Sequence, residues 1–148
     1  ASYKGYDFSV FMQGVARTSF FINPNDISPF VNERNALNVI ADNHWSINNP
    51  DPNAFWPRLS TYSIANNEQQ STWWQRDGDF LRLKNVEIGY TFPDKQTGLF
   101  SGLNTRIYFT GLNLLTFSKF DLWDTEMGGN GLGYPPQKVY NIGLQVNF

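Results

Sequence analysis

The sequence contains no cysteine and few charged side chains, and both shortages narrow what the protein can be. Without cysteine it can form neither disulfides nor thiolate metal sites. Charged residues make up 16% of the 148 residues, against a typical share of about a quarter, while aromatic residues make up 17%. An ordinary soluble domain carries a more strongly charged surface. We therefore expect an apolar environment to cover part of this protein.

Other features that the sequence lacks exclude two further classes. No stretch reaches the roughly 18 uncharged apolar residues of a membrane-spanning helix, and the mean hydropathy is -0.42. The 11 basic residues are scattered and the net charge is -2, so no basic patch is available to bind nucleic acid. No catalytic set is present, and the single histidine, His44, is interpreted as a locally hydrogen-bonded loop residue. We predict no enzyme activity, cofactor or metal.

What the sequence does contain is alternation. Four segments have an apolar residue at every second position, at about 6–16, 80–92, 103–117 and 138–148. Each is close to the 9–11 residues that a tilted strand needs to cross a membrane. The apolar face of the last segment consists of Tyr140, Ile142, Leu144, Val146 and Phe148. Because a fraying terminal strand of a soluble protein gains little from an apolar final residue, this pattern favours a barrel.

The second and third segments contain local departures from this pattern. In the second, Val86 and Ile88 belong to the apolar set, and unbroken alternation puts Arg82 and Lys84 on the same face. We expect those two basic side chains at the level of the lipid head groups, where they reach water. In the third, the alternation blurs after Gly111, which indicates a bulge.

The connections predict an orientation. Outer-membrane barrels have short periplasmic turns and longer extracellular loops. The short connection at 93–102 is therefore expected to be periplasmic, and the loops at about 18–79 and 119–137 extracellular. The first loop is too long to lack its own fold. We predict one short helix in it, with Ser28 as the N-cap and Pro29 at the first helical position.

Several stretches in the same order resemble the C-terminal region of SusC/RagA-type TonB-dependent transporters. They are 49–54 (NPDPNA), 71–74 (STWW), 79–86 (DFLRLKNV), 89–93 (GYTFP), 111–117 (GLNLLTF) and 128–131 (GGNG). The resemblance implies an all-β fold, in which this chain supplies the last four antiparallel strands of a plugged outer-membrane barrel of roughly 22 strands. The chain is then expected to be part of a longer protein.

The resemblance also implies a function and partners. Such a protein imports glycan or peptide fragments across the outer membrane of Bacteroidota. It works beneath a SusD/RagB-like surface lipoprotein that acts as a lid. It receives energy from the TonB–ExbB–ExbD system through an N-terminal part outside this chain, and it contacts the plug, the rest of the barrel and outer-membrane lipid.

Two sets of aromatic residues are candidate functional residues. The first set, in the loops, is predicted to contact substrate or lid, or alternatively to form the loops' own core: Trp45, Trp56, Trp73, Trp74 and Trp123. The second set is predicted to close the barrel and form an aromatic girdle toward the periplasmic strand ends: Tyr90, Phe92, Tyr140 and Phe148. Glu87 and Arg106 are expected to pair on the polar face. The acidic residues Asp121, Asp124 and Glu126 are interpreted as solvated charges or lid contacts, not as a calcium loop.

Two other classes of protein are compatible with part of the pattern. A soluble, aromatic-rich β-domain that binds carbohydrate accounts for the composition, but not for the strand lengths or the order of short and long connections. A passive porin would also be a β-barrel, but a long folded loop is less expected in a porin.

Overall fold

The computed structural model describes residues 1–93 and 104–147, apart from the side chain of Asn32. The chain divides into two compact units. The sheet unit consists of Ala1–Thr18, Gly78–Asp121 and Pro135–Phe148, and the loop unit consists of Ser19–Asp77 and Leu122–Tyr134. Phe148 and nearly all of the connection expected at 93–102 lie outside the described residues.

Strands are the main regular structure of the described residues, and the helices are few and short. In chain order the strands are β1 (Ser2–Tyr3), β2 (Tyr6–Val15), β3 (Ser19–Phe21), β4 (Gln75–Asp77), β5 (Phe80–Thr91), β6 (Asn104–Ser118) and β7 (Val139–Asn147). The α-helices are α1 (Pro24–Ile27), α2 (Asn38–Asp42) and α3 (Ala65–Glu68). No helix among the described residues is long and apolar enough to cross a membrane.

One antiparallel sheet organises the sheet unit. Its strand order is β1-β2-β5-β6-β7, and the four long strands lie where the alternating segments lie in the sequence. The partners line up in rows across the sheet. One apolar row consists of Tyr6, Tyr90, Ile107 and Leu144, and the next consists of Phe8, Ile88, Phe109 and Ile142. The row between them consists of Asp7, Gly89, Tyr108 and Gly143, and it lies on the opposite face because successive residues of a strand alternate.

A bulge at Lys84 changes the face that the first part of β5 presents. Phe11 pairs with Asn85 and the next residue, Met12, pairs with Leu83, so Lys84 is an extra residue on β5. Leu83 therefore lies on the apolar face with Met12. Arg82 falls on the opposite face and is only 1% exposed. The expectation that Arg82 shares the apolar face was wrong, because a bulge reverses the alternation that the sequence suggests.

The neighbouring strand β6 is irregular at the same level. Leu83 pairs with Leu115 and Asn85 with Leu112, which leaves two residues of β6 opposite Lys84. Asn113 has a left-handed backbone, with φ of 52°. The bulge predicted after Gly111 is therefore confirmed.

The helical part of the loop unit differs from the prediction. Ser28 is the C-cap of α1 and not the N-cap of a following helix. Phe30 and Glu33 have φ of 63° and 61°, which an α-helix cannot accommodate, so the next α-helix begins only at Asn38. The described part of the loops thus contains three short α-helices where one was expected. The core of the loop unit is formed by Ile22, Ile27, Ile40, Ala54, Phe55, Trp56 and Trp74.

Candidate functional site

Arg106 ties three strands together on the polar face of the sheet. Its Nη2 lies 2.5 Å from Asp7 Oδ2 on β2 and 2.6 Å from Glu87 Oε1 on β5. Its Nε also donates to Asp7 Oδ1 at 3.1 Å. The predicted pairing of Glu87 with Arg106 is confirmed. The part of Asp7 was missed, because its pairing depends on the register between strands about 80 residues apart in sequence.

Two glycines leave room for this network. A Cβ on Gly89 would lie 2.6 Å from Asp7 Oδ1 and would also overlap Arg106 Nη2, so the guanidinium crosses β5 above that glycine. A Cβ on Gly143 would overlap the ring of Tyr108. The Arg106 guanidinium carbon in turn lies 5.0 Å from the centre of that ring, within cation–π range. The polar face therefore carries a fixed layer of charged and aromatic groups.

The opposite face of the sheet is apolar and uncovered. Its most exposed side chains are Tyr6, Phe8, Val10, Met12, Leu81, Ile88, Ile107, Leu115, Phe117, Tyr140, Ile142 and Leu144. They are 44% to 80% exposed. Within the described residues of the sheet unit no second sheet packs on this face, as a β-sandwich requires. A continuous apolar face of this kind marks a contact with lipid or with another protein.

The aromatic residues predicted to form a girdle do not all lie at one level. The Tyr90 ring contacts the Tyr6 ring, with centres 4.5 Å apart, and meets the Phe92 ring edge-on, with centres 5.0 Å apart. These three rings form a cluster at one edge of the apolar face. Tyr140 pairs with Gly111, which pairs with Val86, so it lies nearer the middle of β5. The expectation that Tyr140 lies at the same strand ends as Tyr90 was wrong, because β7 begins at this level.

The loop tryptophans divide into buried and half-exposed residues. Trp56 and Trp74 are 4% and 1% exposed and their rings lie 5.1 Å apart in the core of the loop unit. Trp74 Nε1 donates to the Asn67 carbonyl at 2.9 Å. These two side chains pack the loop unit and are not presented to a ligand. Trp45, Trp73 and Trp123 are half-buried.

Trp123 is tied to the glycine-rich loop. Its Nε1 donates to the Gly128 carbonyl at 2.8 Å. A Cβ on Gly131 would lie 2.7 Å from the Trp123 ring, so the absence of a side chain at Gly131 allows the indole to approach the backbone closely. A packing role therefore accounts for the geometry of Trp123 as well.

Trp73 lines a polar cavity in the loop unit. The cavity has a volume of about 610 Å³, and its polar and aromatic lining residues are Asn43, Asn53, Phe55, Ser71, Thr72, Trp73 and Arg76. Burial lowers the pKa of the Arg76 guanidinium from its ordinary value. Arg76 was not predicted from the sequence, because a single arginine in a short strand such as β4 carries no local signal of a site.

The remaining polar candidates have local structural roles. His44 Nδ1 lies 2.9 Å from the Ala41 carbonyl and 3.2 Å from that of Ile40, as expected for a locally bonded loop histidine. Asp124 caps the 3₁₀ turn Thr125–Met127 by accepting from Glu126 N. In the described part of the chain no three metal-binding side chains cluster together.

Comparison with known proteins identifies the family. No protein-family model matches the chain. TonB-dependent receptor P26 of Formosa agariphila is 30% identical over 168 residues, covering 99% of this chain and 16% of the receptor. TonB-dependent receptor SusC of Bacteroides thetaiotaomicron is 26% identical over 149 residues, covering 99% of this chain and 14% of SusC. The structure of the RagAB peptide transporter matches 99% of this chain and 16% of its own, with a TM-score of 0.73 and 26% identity.

The chain belongs to the SusC/RagA family of TonB-dependent receptors. It spans only 16% and 14% of the length of the two relatives from Formosa and Bacteroides. The resemblance predicted from the short motifs is therefore confirmed. The relatives are receptors and transporters, which agrees with the absence of a catalytic set in the sequence.

Membership in this family gives the two faces of the sheet a physical meaning. TonB-dependent receptors of this type are β-barrels of the outer membrane. The wall of such a barrel alternates between lipid-facing and lumen-facing side chains. The sheet of this chain alternates in the same way, between the uncovered apolar face around Ile88 and Ile142 and the polar face of the Arg106 network.

Proposed function

We propose that the chain supplies four wall strands and two extracellular loops of an outer-membrane importer of nutrient oligomers. The observation that carries this proposal is the two-faced sheet, in which exposed apolar rows alternate with the rows that hold Asp7, Glu87 and Arg106. The 12 residues of β5 and the 15 residues of β6 are long enough to cross the hydrocarbon layer at a tilt.

The proposed importer acts together with other components. A SusD/RagB-like surface lipoprotein covers the barrel, and the TonB–ExbB–ExbD system supplies energy through a part of the receptor outside this chain. The imported molecules are glycan or peptide fragments. Support for peptides comes from the RagAB peptide transporter, and support for either class from the polar loop cavity at Trp73 and Arg76.

Uptake by intact cells tests the proposed activity. Cells whose own gene for the full-length receptor is deleted are given the receptor on a plasmid and exposed to fluorescently labelled oligosaccharides and peptides. Uptake is expected only with the receptor, and it is expected to stop when a protonophore collapses the proton-motive force that energises TonB. Receptor-dependent uptake that continues after the protonophore would instead show a passive porin, and no uptake of either class would overturn the proposal.

A matched pair of arginine substitutions tests whether the apolar face meets lipid, as the proposed barrel wall requires. Ile142 is 80% exposed on the apolar face, whereas the adjacent Asn141 lies on the polar face and donates to Thr110 Oγ1 at 3.3 Å. Ile142→Arg is expected to destabilise the folded receptor by about 2–4 kcal/mol, because a cation in the hydrocarbon layer is poorly solvated. Asn141→Arg is expected to be tolerated, since that side faces water and Glu87.

The two variants are compared in the full-length receptor reconstituted into lipid vesicles. Denaturant unfolding, followed by the heat-dependent shift in gel mobility of folded barrels, measures the loss of stability. Equal effects of the two arginines, or a harmless Ile142→Arg, would show that the apolar face does not meet lipid and would favour a soluble β-domain.

A further inference from the structure

The polar cavity of the loop unit contains a cation and no acid. Arg76 is the one charged side chain among the described residues that line it, and the rest of the lining is amide, hydroxyl, aromatic or apolar. The whole chain carries a net charge of -2, opposite in sign to the single charge that lines this cavity. A cation that is partly removed from water is stabilised by a bound anion.

The Arg76 guanidinium is held in place from one side only. Its Nη1 donates to the Trp73 carbonyl at 2.7 Å and to the Gln75 carbonyl at 2.8 Å. Its guanidinium carbon lies 5.7 Å from the centre of the Phe55 ring. Within the part of the chain that the structure describes, Nε and Nη2 make no hydrogen bond. An oriented guanidinium with free donors binds a carboxylate through paired hydrogen bonds.

Neutral polar groups extend the cavity beyond Arg76. Asn43 Oδ1 accepts from Phe55 N at 3.1 Å, which leaves the Asn43 NH₂ group as a donor. Asn53 is exposed. Its hydrogen bond to Asp51 Oδ1, at 2.8 Å, is donated by the backbone N–H and not by the side chain. Trp73 Nε1 is buried without a hydrogen-bond partner among the described residues. Amides beside an indole match the hydroxyl, amide and ring groups of a sugar or peptide.

We propose that this cavity binds a carboxylate-bearing end of the imported oligomer, with Arg76 on the carboxylate and Asn43 and Asn53 on the neighbouring polar groups. The carboxylate belongs to an acidic sugar or to a peptide C-terminus, since both present the same planar anion. This inference rests on the proposed import function and adds a ligand chemistry to it.

Placing a negative charge in the cavity tests the proposal without removing its arginine. The Arg76 side chain itself donates hydrogen bonds to two backbone carbonyls, so Arg76→Ala can weaken the loop fold for reasons unrelated to binding. Asn53→Asp instead adds a carboxylate to the lining of the cavity that repels or displaces the ligand's own. Asn48→Asp adds the same charge at an exposed position of the same loop that does not line the cavity, and it is the matched control.

Binding to the purified full-length receptor is measured by calorimetry with two pairs of probes. One pair is digalacturonic acid and an uncharged galactose disaccharide, and the other is tri-alanine and its C-terminal amide. At least one acid is expected to bind more tightly than its neutral counterpart. Asn53→Asp is expected to weaken binding of that acid by about tenfold, the result of a repulsion near 1.4 kcal/mol. Asn48→Asp is expected to have little effect.

The pattern of results identifies the source of the carboxylate. Weakening confined to digalacturonic acid indicates acidic sugars, weakening confined to tri-alanine indicates peptides, and weakening of both indicates a general carboxylate site. The proposal is overturned if neither acid binds better than its neutral partner, or if Asn53→Asp and Asn48→Asp act alike. Protonophore-sensitive uptake alongside such a result would leave import standing while this cavity assignment fails.

Discussion

Deleting Lys84 is expected to lower the fraction of receptor that assembles into a folded barrel. Lys84 is the extra residue of β5 at the bulge between the pairs Phe11–Asn85 and Met12–Leu83. Without it, Asn85 follows Leu83 directly, so β5 can still pair regularly with β2 and Arg82 stays on the polar face. On the other side, β6 keeps two residues, Asn113 and Leu114, opposite no residue of β5. The β5–β6 ladder must therefore break or distort at this level.

The control for this deletion is Lys84→Ala, which removes the side chain but keeps the number of residues. It is expected to assemble normally, because the bulge depends on the extra residue and not on the amine. Assembly is measured as the fraction of receptor in the outer membrane that shows the heat-dependent mobility shift of a folded barrel. A deletion variant that assembles as well as Lys84→Ala would show that the pairing of β5 with β6 does not depend on the extra residue.

Trp74→Ala is expected to destabilise the loop unit by about 3–5 kcal/mol, the usual cost of truncating a large buried aromatic side chain. Trp74 is 1% exposed, contacts the Trp56 ring and donates to the Asn67 carbonyl. Its loss leaves a cavity and an unpaired carbonyl in a small core. The barrel wall is expected to remain folded, because the sheet unit has its own hydrogen-bonded ladder.

Hydrogen exchange of the full-length receptor separates these effects. Amides of the loop unit are expected to lose protection in Trp74→Ala, while those of β5 and β6 keep it. The matched control is Trp45→Ala, which truncates a half-buried indole of the same unit and is expected to cost much less. Similar losses of protection in both variants would show that the loop unit does not depend on the Trp56–Trp74 core.

Much of the sheet was predictable because its signal is local. Apolar residues at every second position report directly which side chains share a face, and this holds wherever a strand is regular, as in Tyr140 to Val146. The motif order gave the family for the same reason. The Glu87–Arg106 pair was predictable because both residues lie on the polar phase of neighbouring strands.

The errors arose where the structure departs from regular local rules. The bulge at Lys84 moved Arg82 to the other face, and left-handed backbone at Phe30 and Glu33 delayed the helix predicted from Ser28. None of these three positions carries a glycine, so no residue type in the sequence indicated the change. Tyr140 was misplaced for a different reason, because its level depends on where β7 joins β6.

The sequence by itself determined the strand alternation, the two-faced character of the sheet and the family, since all three follow from the order and spacing of neighbouring residues. Only the tertiary structure decided the register. It brought Asp7 into an ion pair with Arg106 and placed Trp56 and Trp74 in a core. It also brought Arg76, Asn43 and Asn53 to the lining of one cavity. These contacts join residues far apart in the chain, and the free energy that selects them comes from packing and hydrogen bonding of the whole unit, which short-range patterns do not encode.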